Sequence, residues 1–478
     1  MPKKPPTNKP FISNLAYVPY DKLRDIRPRG YTNEDHVSYL KRFLTYRTKK
    51  YRSTEYKVIY NYDDETYQSH IGLPIEWTLK PGVMGYLEFE DYTSTGTMIF
   101  SPKKKIDPNH PKAAAGQEQF VKDILSVLDS NYGCFAVGTT GVGKTPSSLA
   151  VASELGYRTL IVVPNIPILN KWKEEIPILL GLKPNHIAEV RGKGNFNMNA
   201  PICISTIHTV AMCDYPEKYY KSFGYWILDE VETMATEKFI LALRKCYATA
   251  RLGMTATPNR TDQAEKALKL HIGPIRATSK GEVMPLTIYL HSYKAKKLLS
   301  GKDYKSHCRQ VSKDKKRTEH FCELIYKVYK EGRNPLIVSD FIDHLEYAYK
   351  ILHGLGIPEK DLGLYTGEIT VAGKRKKVND EDIKHVLNRR VVLATYGKMN
   401  AGLHKSHLNW GMDLTPRKKM KQVFGRIRSI LEGKPTPEWH MPVDIMSRAF
   451  TTDLEDNKRK EYKEQGFKLK VGDFHKRF

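Results

Sequence analysis

The sequence predicts an α/β protein in which two tandem parallel-sheet domains follow a small N-terminal α+β module. From Gln117 onward, short apolar and β-branched runs alternate with helical stretches, as is typical of a parallel sheet covered by helices. A second series of the same kind begins at Pro335. The length of 478 residues agrees with this organisation, because about 150 residues per domain gives about three domains.

The N-terminal module is expected over residues 1–110, which are rich in Tyr, Lys, Arg and Pro. Its runs at residues 56–62 and 85–92 alternate with the period of two that half-buried strands show. Residues 101–112 combine proline and lysine, which disfavour both helix and sheet, so this run is interpreted as a linker.

The first parallel sheet is expected within residues 111–290 and the second within residues 291–450, with a join near residues 285–300. The strand candidates of the first sheet are CFAV at Cys134, TLIVV at Thr159, ICIS at Ile202, YWILD at Tyr225 and RLGMT at Arg251. Those of the second sheet are PLIVSD at Pro335, LGLYTG at Leu362, VVLAT at Val391 and NWGMDLTP at Asn409. Residues 451–478 form a polar, basic tail for which a helix and a disordered end both stay open.

The charge balance indicates the kind of partner. The chain has 78 Lys and Arg residues against 53 Asp and Glu, a net charge of +25. Such an excess favours a polyanion, and nucleic acid is a commoner partner than an acidic membrane surface, although a merely well-solvated surface is the alternative. No segment approaches the ~18 uncharged apolar residues of a membrane helix, and no apolar signal segment follows the basic start. We expect a cytoplasmic protein that is not secreted and does not bind membranes.

The six cysteines form no CxxC pair and no Cys/His cluster with zinc spacing. Structural zinc is therefore not expected, and most of these cysteines are interpreted as small core residues.

The strongest motif is GTTGVGKT at residues 138–145, which fits the phosphate-loop pattern G-x-x-x-x-G-K-[ST]. It follows a predicted strand and opens a predicted helix, which is the context that such a loop requires. Its glycines let the backbone fold around a phosphate chain, Lys144 can reach the terminal phosphates, and the Thr145 hydroxyl can bind Mg²⁺. The predicted nucleotide-binding residues are Gly138, Thr139, Thr140, Gly141, Val142, Gly143, Lys144 and Thr145.

A second motif, LDEVE, places two acids directly after the apolar run YWIL. Asp229 is expected to hold the magnesium through water, and Glu230 to polarise the attacking water as a general base. The alternative is a solvated Asp-Glu turn, which the phosphate loop upstream makes less favoured.

In chain order, GTTGVGKT, LDEVE, RLGMTATPNRTD and QVFGRIR resemble motifs I, II, III and VI of superfamily 2 helicases, over roughly residues 115–430. TLIVVPNIPILNKWKEEI resembles motif Ia, STIHT the next nucleic-acid-binding motif, and LATYGKMNAGL motif V. RLGMTATP and the DLTP before QVFGR are most similar to the double-stranded-DNA translocating branch, which includes phage recombination and fork-remodelling helicases. The resemblance implies a fold of two RecA-like domains and the use of ATP with Mg²⁺ as cofactors. For a viral protein, it implies a location in the host cytoplasm.

The resemblance also implies residue roles. Gln117 corresponds to the glutamine that reads adenine, with the adjacent Gln119 as the alternative. In the TAT motif, two threonines couple hydrolysis to domain movement. In QVFGR, Gln422 and Arg426 face the γ-phosphate, with Arg426 as the arginine finger or, alternatively, a surface arginine. The coupling residues are Thr255 and Thr257, and the expected nucleic-acid backbone contacts are Pro164, Asn165, Thr206, Gly367 and Thr395.

Three positions depart from the family pattern. Glu232 stands where motif II of many relatives has a histidine. The usual link between motif II and motif III therefore lacks its histidine in this chain. His404 stands in motif V where many relatives have an acid. Arg428 lies six residues after Gln422, whereas the second arginine of motif VI normally lies seven residues after the glutamine.

Two further features each allow a functional and a purely structural interpretation. The basic run GKRKK at Gly373 can attract nucleic acid or form a solvated face. Trp172 is expected to serve packing rather than base stacking, because it shares one helix face with Ile176.

The function that these residues favour is an ATP-dependent DNA helicase or translocase that remodels or unwinds branched DNA, such as forks and Holliday junctions, in replication or recombination. The N-terminal module is expected to grip duplex DNA. An RNA helicase and a nucleotide-gated nucleic-acid clamp with little turnover are the alternatives. Because no coiled-coil heptads appear, a monomer is expected.

Overall fold

Two seven-stranded sheets, each with all strands parallel, organise the computed structural model. One lies in a first unit, Met1–Gly281, and the other in a second unit, Glu282–Phe478. The structure describes residues 7–25, 36–49, 56–60, 62–67, 69–79, 88–97, 116–138, 142–194, 196–234, 236–256, 264–279, 284–295, 303–371, 374–377, 385–400, 407–418, 420–428, 430–431 and 433–472.

Short strands and helices form the N-terminal part of the first unit. Its strands are β1 (Phe11–Ile12), β2 (Ala16–Pro19), β3 (Thr45–Lys49), β4 (Tyr56–Tyr60), β5 (His70–Leu73) and β6 (Glu90–Asp91). Its helices are α1 (His36–Phe43) and α2 (Ile75–Thr78), with a 3₁₀ turn at Tyr20–Asp25. The strands β5, β2, β1 and β6 form one sheet in this order, and β3 pairs with β4 in a separate hairpin.

The first parallel sheet has the order β13-β7-β12-β11-β8-β10-β9. Its strands are β7 (Gly133–Gly138), β8 (Thr159–Val163), β9 (Ile187–Val190), β10 (Ile202–Thr206), β11 (Tyr225–Asp229), β12 (Ala250–Thr255) and β13 (Ile275–Ser279). Around it lie α3 (Gln117–Ser130), α4 (Lys144–Leu155), α5 (Ile166–Leu180), α6 (Ile207–Met212), α7 (Glu217–Lys221), α8 (Glu237–Leu243) and α9 (Ala264–Ile272), with 3₁₀ turns at Pro184–His186 and Val231–Met234. All five strand candidates of the first sheet are confirmed.

The helix α5 shows how local sequence sets these elements. The Asn165 side chain caps its start by accepting a hydrogen bond from the Ile168 N–H at 3.1 Å, and the helix ends at Gly181, whose φ is +64°. Trp172 and Ile176 lie on its buried face, which confirms that Trp172 packs in the core.

The N-terminal part packs on the edge of this sheet where β11 and β12 begin. The Ser94 N–H donates to the Tyr247 carbonyl at 2.8 Å, and the Thr249 N–H donates to the Ser94 carbonyl at 2.9 Å. A Cβ atom on Gly224 would lie 2.1 Å from the Thr95 carbonyl oxygen, so this close approach needs glycine. These contacts lie at the amino-terminal ends of the strands. The expected linker at residues 101–112 lies outside the described residues.

The second parallel sheet has the order β16-β19-β15-β20-β21-β14-β22. Its strands are β14 (Thr287–Tyr293), β15 (Pro335–Ser339), β16 (Leu362–Tyr365), β19 (Val391–Thr395), β20 (Trp410–Asp413), β21 (Glu438–Asp444) and β22 (Lys468–Val471); β17 (Glu368–Val371) and β18 (Lys374–Lys377) form a separate hairpin. Its helices are α10 (Tyr304–Lys313), α11 (Lys315–Lys330), α12 (Ile342–Gly354), α13 (Tyr396–Asn400), α14 (Lys421–Gly425), α15 (Arg448–Asp453) and α16 (Arg459–Glu464), with a 3₁₀ turn at Glu359–Asp361 and a π turn at Leu454–Lys458. The predicted class, α/β with two RecA-like domains, is confirmed.

Three strands, β14, β21 and β22, extend the second sheet beyond the four predicted ones. The strand β14 crosses the expected boundary at residues 290 and 291 and lies wholly in the second sheet. The expected tail supplies the end of α15 together with α16 and β22, and β22 pairs in parallel with β14. Tyr462 and Phe467 of this tail are buried against Phe424, with ring centroids 5.4 and 5.5 Å away, so apolar anchors hold an otherwise polar segment.

A buried ion pair ties α11 to β21. Arg317 donates to both carboxylate oxygens of Asp444, at 2.8 and 3.0 Å, and both side chains are 1% exposed or less. A third bond from Arg317 reaches the Leu414 carbonyl at 2.6 Å. This geometry satisfies the guanidinium with a bidentate partner and a carbonyl, which offsets the cost of burying both charges.

Replacing Arg317 by methionine is expected to lower the free energy of unfolding by about 3–5 kcal/mol, because the Asp444 charge stays buried without its partner. Arg309→Ala is the control: it removes an exposed ion pair with Asp343, 2.9 Å long, and should cost less than about 1 kcal/mol. Urea titration of both variants measures these values. A cost for Arg317→Met no larger than that of the control would contradict the role assigned to the pair.

Candidate nucleotide-binding site

The candidate site lies at the carboxyl edge of the first sheet. The neighbouring strands β7, β12 and β11 end at Gly138, Thr255 and Asp229. Because all three run parallel, their carboxyl ends bring motifs I, III and II to one edge. Ligands bind at such edges in open α/β sheets.

The phosphate loop fits closely around its glycines. A Cβ atom on Gly138 would lie 2.6 Å from Val142 Cγ1, and Gly143 has a φ of +79°, so both positions favour glycine. The helix α4 begins at Lys144 without a side-chain cap, which leaves its first N–H groups available to a phosphate. Thr139, Thr140 and Gly141 lie outside the described residues.

Lys144 and the two acids of motif II meet at this edge. Lys144 Nζ lies 3.3 Å from Glu230 Oε1. The Glu230 N–H donates to Asp229 Oδ1 at 3.0 Å, and Trp172 Nε1 donates to Asp229 Oδ2 at 2.9 Å. Trp172 therefore orients the predicted magnesium ligand, a role that its sequence pattern did not indicate. Burial raises the pKa of Asp229, and the neighbouring Glu230 raises it further, whereas Lys144 opposes the rise.

Glu230 is held in an uncommon backbone conformation. Its φ of +48° makes it the one non-glycine residue with positive φ in the part of the chain that the structure describes. Its carbonyl accepts hydrogen bonds from the Thr233 N–H at 2.9 Å and the Thr233 hydroxyl at 2.8 Å. Such conformations cost free energy and concentrate at functional sites, which agrees with the predicted role of Glu230.

The departure at Glu232 leaves motif II connected to motif III. Glu232 is buried, and its side chain is hydrogen-bonded to Glu230 and to Thr255, at the end of β12. Burial and the nearby Glu230 charge raise the pKa of Glu232 to about 8. Thr257, the second predicted coupling residue, lies outside the described residues.

The two glutamine candidates for adenine occupy different places. Gln117 is buried, and its side-chain amide lies 3.1–3.2 Å from a Cβ atom built on Gly143. Gln119 is exposed and donates to Asp123 Oδ1 at 2.8 Å. The structure therefore brings Gln117, and not Gln119, against the phosphate loop.

Thr145 and Asp229 fit the predicted magnesium site by their chemistry. Each is 8% exposed, and each offers an oxygen at the same sheet edge. No cluster of three or more His, Cys, Asp or Glu side chains that could hold a metal ion occurs within the described residues. This donor set suits Mg²⁺, which binds through one or two protein oxygens together with waters and substrate phosphates.

The expected nucleic-acid contacts follow strands at the carboxyl edges of both sheets. Pro164 and Asn165 follow β8, and Thr206 ends β10. The Thr206 hydroxyl is buried and accepts from the Thr209 N–H at 3.3 Å, so it caps α6. In the second unit, Gly367 follows β16 and Thr395 ends the neighbouring β19.

Motif VI lies on α14 of the second unit. Gln422 belongs to this helix, although its side chain lies outside the described residues, and the half-buried Arg426 follows the helix end. Arg428 serves its own unit: Nε donates to the Met284 carbonyl at 2.8 Å, and the guanidinium lies 5.0 Å from the Phe467 ring centroid. His404 lies outside the described residues.

Comparisons with known proteins agree with this arrangement. Residues 111–260 match the family described as the Type III restriction enzyme, res subunit. A putative ATP-dependent RNA helicase of Acanthamoeba polyphaga mimivirus is 23% identical over 323 residues, which span 65% of this chain and 60% of that relative. A probable helicase of Escherichia phage T5 is 27% identical over 333 residues, 66% of this chain and 68% of the relative. These likenesses support the resemblance to superfamily 2 helicases that the sequence motifs predict.

A solved structure shows the same fold. The putative HsdR subunit fragment of a type I restriction enzyme from Vibrio vulnificus YJ016 aligns with a TM-score of 0.51 and 15% identity, over 73% of this chain and 67% of that one. Within the described residues, no helix is long and apolar enough to cross a membrane.

Lys144→Ala is expected to lower the ATPase rate by at least about 100-fold, because it removes the cation that faces the terminal phosphates. Nucleic-acid binding should stay within about two-fold of wild type, since the predicted contacts follow other strands. Lys171→Ala is the matched control: Lys171 is 43% exposed and pairs with Glu175 on the surface of α5. ATPase retained by Lys144→Ala would overturn the site assignment.

Proposed function

We propose that this protein is an ATP-driven DNA helicase or translocase that remodels or unwinds branched DNA, such as forks and Holliday junctions, in replication or recombination. The observation that carries the proposal is the meeting of Lys144, Asp229 and Glu230 at one sheet edge, with Lys144 Nζ 3.3 Å from Glu230 Oε1. We further propose that the protein acts as a monomer in the cytoplasm.

In the proposed reaction, the phosphate loop and Lys144 hold the terminal phosphates of ATP. Thr145 and Asp229 would hold Mg²⁺, which neutralises charge on the phosphates when it is bound. Glu230 orients the attacking water and accepts its proton as the general base. The buried Trp172 hydrogen bond keeps the Asp229 carboxylate in place for this role.

Motif VI is proposed to take part in ATP hydrolysis. By their resemblance to this motif, Gln422 and Arg426 are assigned to the γ-phosphate, with Arg426 stabilising the charge of the transition state. The bond from Arg428 Nε to the Met284 carbonyl supports the choice of Arg426 rather than Arg428 for this role. The C-terminal segment supports the motif VI helix, because Tyr462 and Phe467 pack against Phe424.

The DNA assignment rests on charge and on motif likeness. The net charge of +25 suits a phosphate backbone, and the strand-end residues are suited to phosphate contacts, which fix register without reading sequence. RLGMTATP and DLTP before QVFGR resemble the branch that translocates on double-stranded DNA. The N-terminal part is proposed to grip duplex DNA. Its described contacts lie at the amino-terminal ends of β11 and β12, whereas Pro164, Asn165 and Thr206 lie at the carboxyl edge of the same sheet.

RNA is the second candidate substrate, and a specific observation favours it. The mimivirus relative and the African swine fever virus relatives are named putative ATP-dependent RNA helicases. The phage T5 relative is named only a probable helicase. Phosphate contacts alone do not distinguish the two substrates, because the 2′-hydroxyl is read by other contacts.

Steady-state ATPase at one fixed salt concentration tests the substrate directly. Single-stranded DNA, linear duplex, forked and four-way DNA, and matched RNA strands are compared with no nucleic acid. We expect forked or four-way DNA to stimulate the ATPase at least about ten-fold more than matched RNA. Stronger stimulation by RNA would replace the DNA assignment with the RNA helicase. Turnover near background with tight, ATP-dependent DNA binding would favour a nucleotide-gated clamp.

Arg426→Ala is expected to lower the nucleic-acid-stimulated ATPase rate by about 10³-fold or more, because an arginine finger stabilises the transition-state charge. The affinity for ATP should change far less than the rate. Arg459→Ala is the control, since Arg459 lies in the same unit, is 43% exposed and pairs with Glu455 at 2.8 Å. An Arg426→Ala rate within ten-fold of wild type would show that Arg426 is a surface arginine.

A further inference from the structure

The strand β22 forms one edge of the second sheet, and in the described part of the chain no strand pairs with its outer side. It runs parallel to β14, with Leu290 of β14 opposite Val471 of β22. Three of its four residues are exposed, whereas the edge strands β9 and β16 expose none of theirs and β13 exposes one. Among these four edges, β22 is therefore the most accessible to another chain.

The hydrogen bonds of β22 to β14 determine which of its backbone groups face outward. The Gly472 N–H donates to the Leu290 carbonyl at 2.8 Å, so the even-numbered residues of this segment bond to β14. Because backbone groups alternate in direction along a strand, the N–H and C=O groups of Leu469 and Val471 face the outer side. Such a row of backbone donors and acceptors is a template for a further strand.

The two faces of β22 differ in chemistry. Leu469 packs against the apolar core of the second unit, and Val471, which projects to the same face two residues later, is 70% exposed. Lys468 and Lys470 project to the opposite face, where Lys470 Nζ lies 5.8 Å from the Tyr289 ring centroid. A strand added at this edge would cover Val471 on one face and meet two cations on the other.

The two lysines select the partner by charge. In a pair of two copies, the lysines of one β22 would lie beside those of the other, and like charges directly opposite each other destabilise a strand pair. Lysines on edge strands commonly deter unspecific pairing in this way. An acidic strand instead forms opposite-charge pairs with Lys468 and Lys470, so the same charges favour it over a second copy.

We propose that β22 is a docking edge for an extended segment of another protein, a segment in which acidic residues alternate with apolar ones. Its acidic residues pair with Lys468 and Lys470, and its apolar residues cover Val471. In this mode the main-chain hydrogen bonds supply affinity, and the alternate side chains supply specificity. Docking at β22 requires neither ATP hydrolysis nor nucleic acid.

The test measures, by fluorescence anisotropy, the binding of a labelled peptide of about six residues that alternates glutamate and valine to the full chain. A peptide with lysine in place of glutamate is the charge control, and a peptide with the three glutamates before the three valines is the pattern control. We expect the alternating acidic peptide to bind at least about ten-fold more tightly than either control. Its binding should also slow deuterium exchange at the Leu469 and Val471 amides.

Variants separate strand addition from charge attraction. Val471→Pro removes an outward N–H and leaves the bonds to β14 in place, so it should weaken binding of the acidic peptide by about ten-fold. Val471→Ile keeps this N–H group and should bind within about two-fold of wild type. Lys468→Glu combined with Lys470→Glu should lose the acidic peptide and gain binding of the lysine peptide. Thermal melting of each variant shows whether it is folded.

Four results would overturn the docking edge. The first is no binding of the acidic peptide, or equal binding of the lysine peptide. The second is folded Val471→Pro that binds the acidic peptide as tightly as wild type. Self-association that Val471→Pro abolishes would assign the edge to a second copy. A loss of DNA affinity in the double glutamate variant that exceeds its loss of peptide affinity would assign the lysines to nucleic acid.

Discussion

The parallel direction of the seven strands in the first sheet is the constraint on which the candidate site depends. It brings the ends of β7, β12 and β11 to one edge, so residues far apart in sequence meet there. The phosphate loop, Asp229 and Thr255 each follow or end one of these strands. Reversing any one strand would send its motif to the opposite edge. The site is therefore a consequence of the sheet topology before it is a consequence of any single side chain.

The segments that support the motif-bearing elements are distinct from those elements. The described N-terminal contacts lie where β11 and β12 begin, as the hydrogen bonds of Ser94 with Tyr247 and Thr249 show. In the second unit, the C-terminal segment adds β22 to the sheet edge and packs Tyr462 and Phe467 against the motif VI helix. Neither segment contains a helicase motif, and each packs against an element that carries one. The buried Arg317–Asp444 pair adds a fixed connection between α11 and β21.

Much of this architecture could be predicted because its signals are local. Apolar β-branched runs gave the central strands of the first sheet and four strands of the second, but not the interior strands β14 and β21. The phosphate-loop pattern gave the start of α4. The edge strands β9, β13 and β22 were missed because IAEV, IRATS and KLKV are half-exposed and carry polar residues. The bonds of Trp172 to Asp229 and of Glu232 to Thr255 join residues 57 and 23 positions apart, and no spacing pattern encodes such pairs. Sequence pattern identifies the chemistry of a position, and the fold decides its partner.

The central claim is that nucleic acid accelerates the chemical step at the Lys144 and Glu230 site. Single-turnover hydrolysis measures this step directly, with enzyme in excess over radiolabelled ATP, at fixed salt, with and without forked DNA. The account predicts that DNA raises the single-turnover rate constant at least about ten-fold without a comparable change in ATP affinity. Equal rate constants with and without DNA, or no hydrolysis of bound ATP, would contradict it.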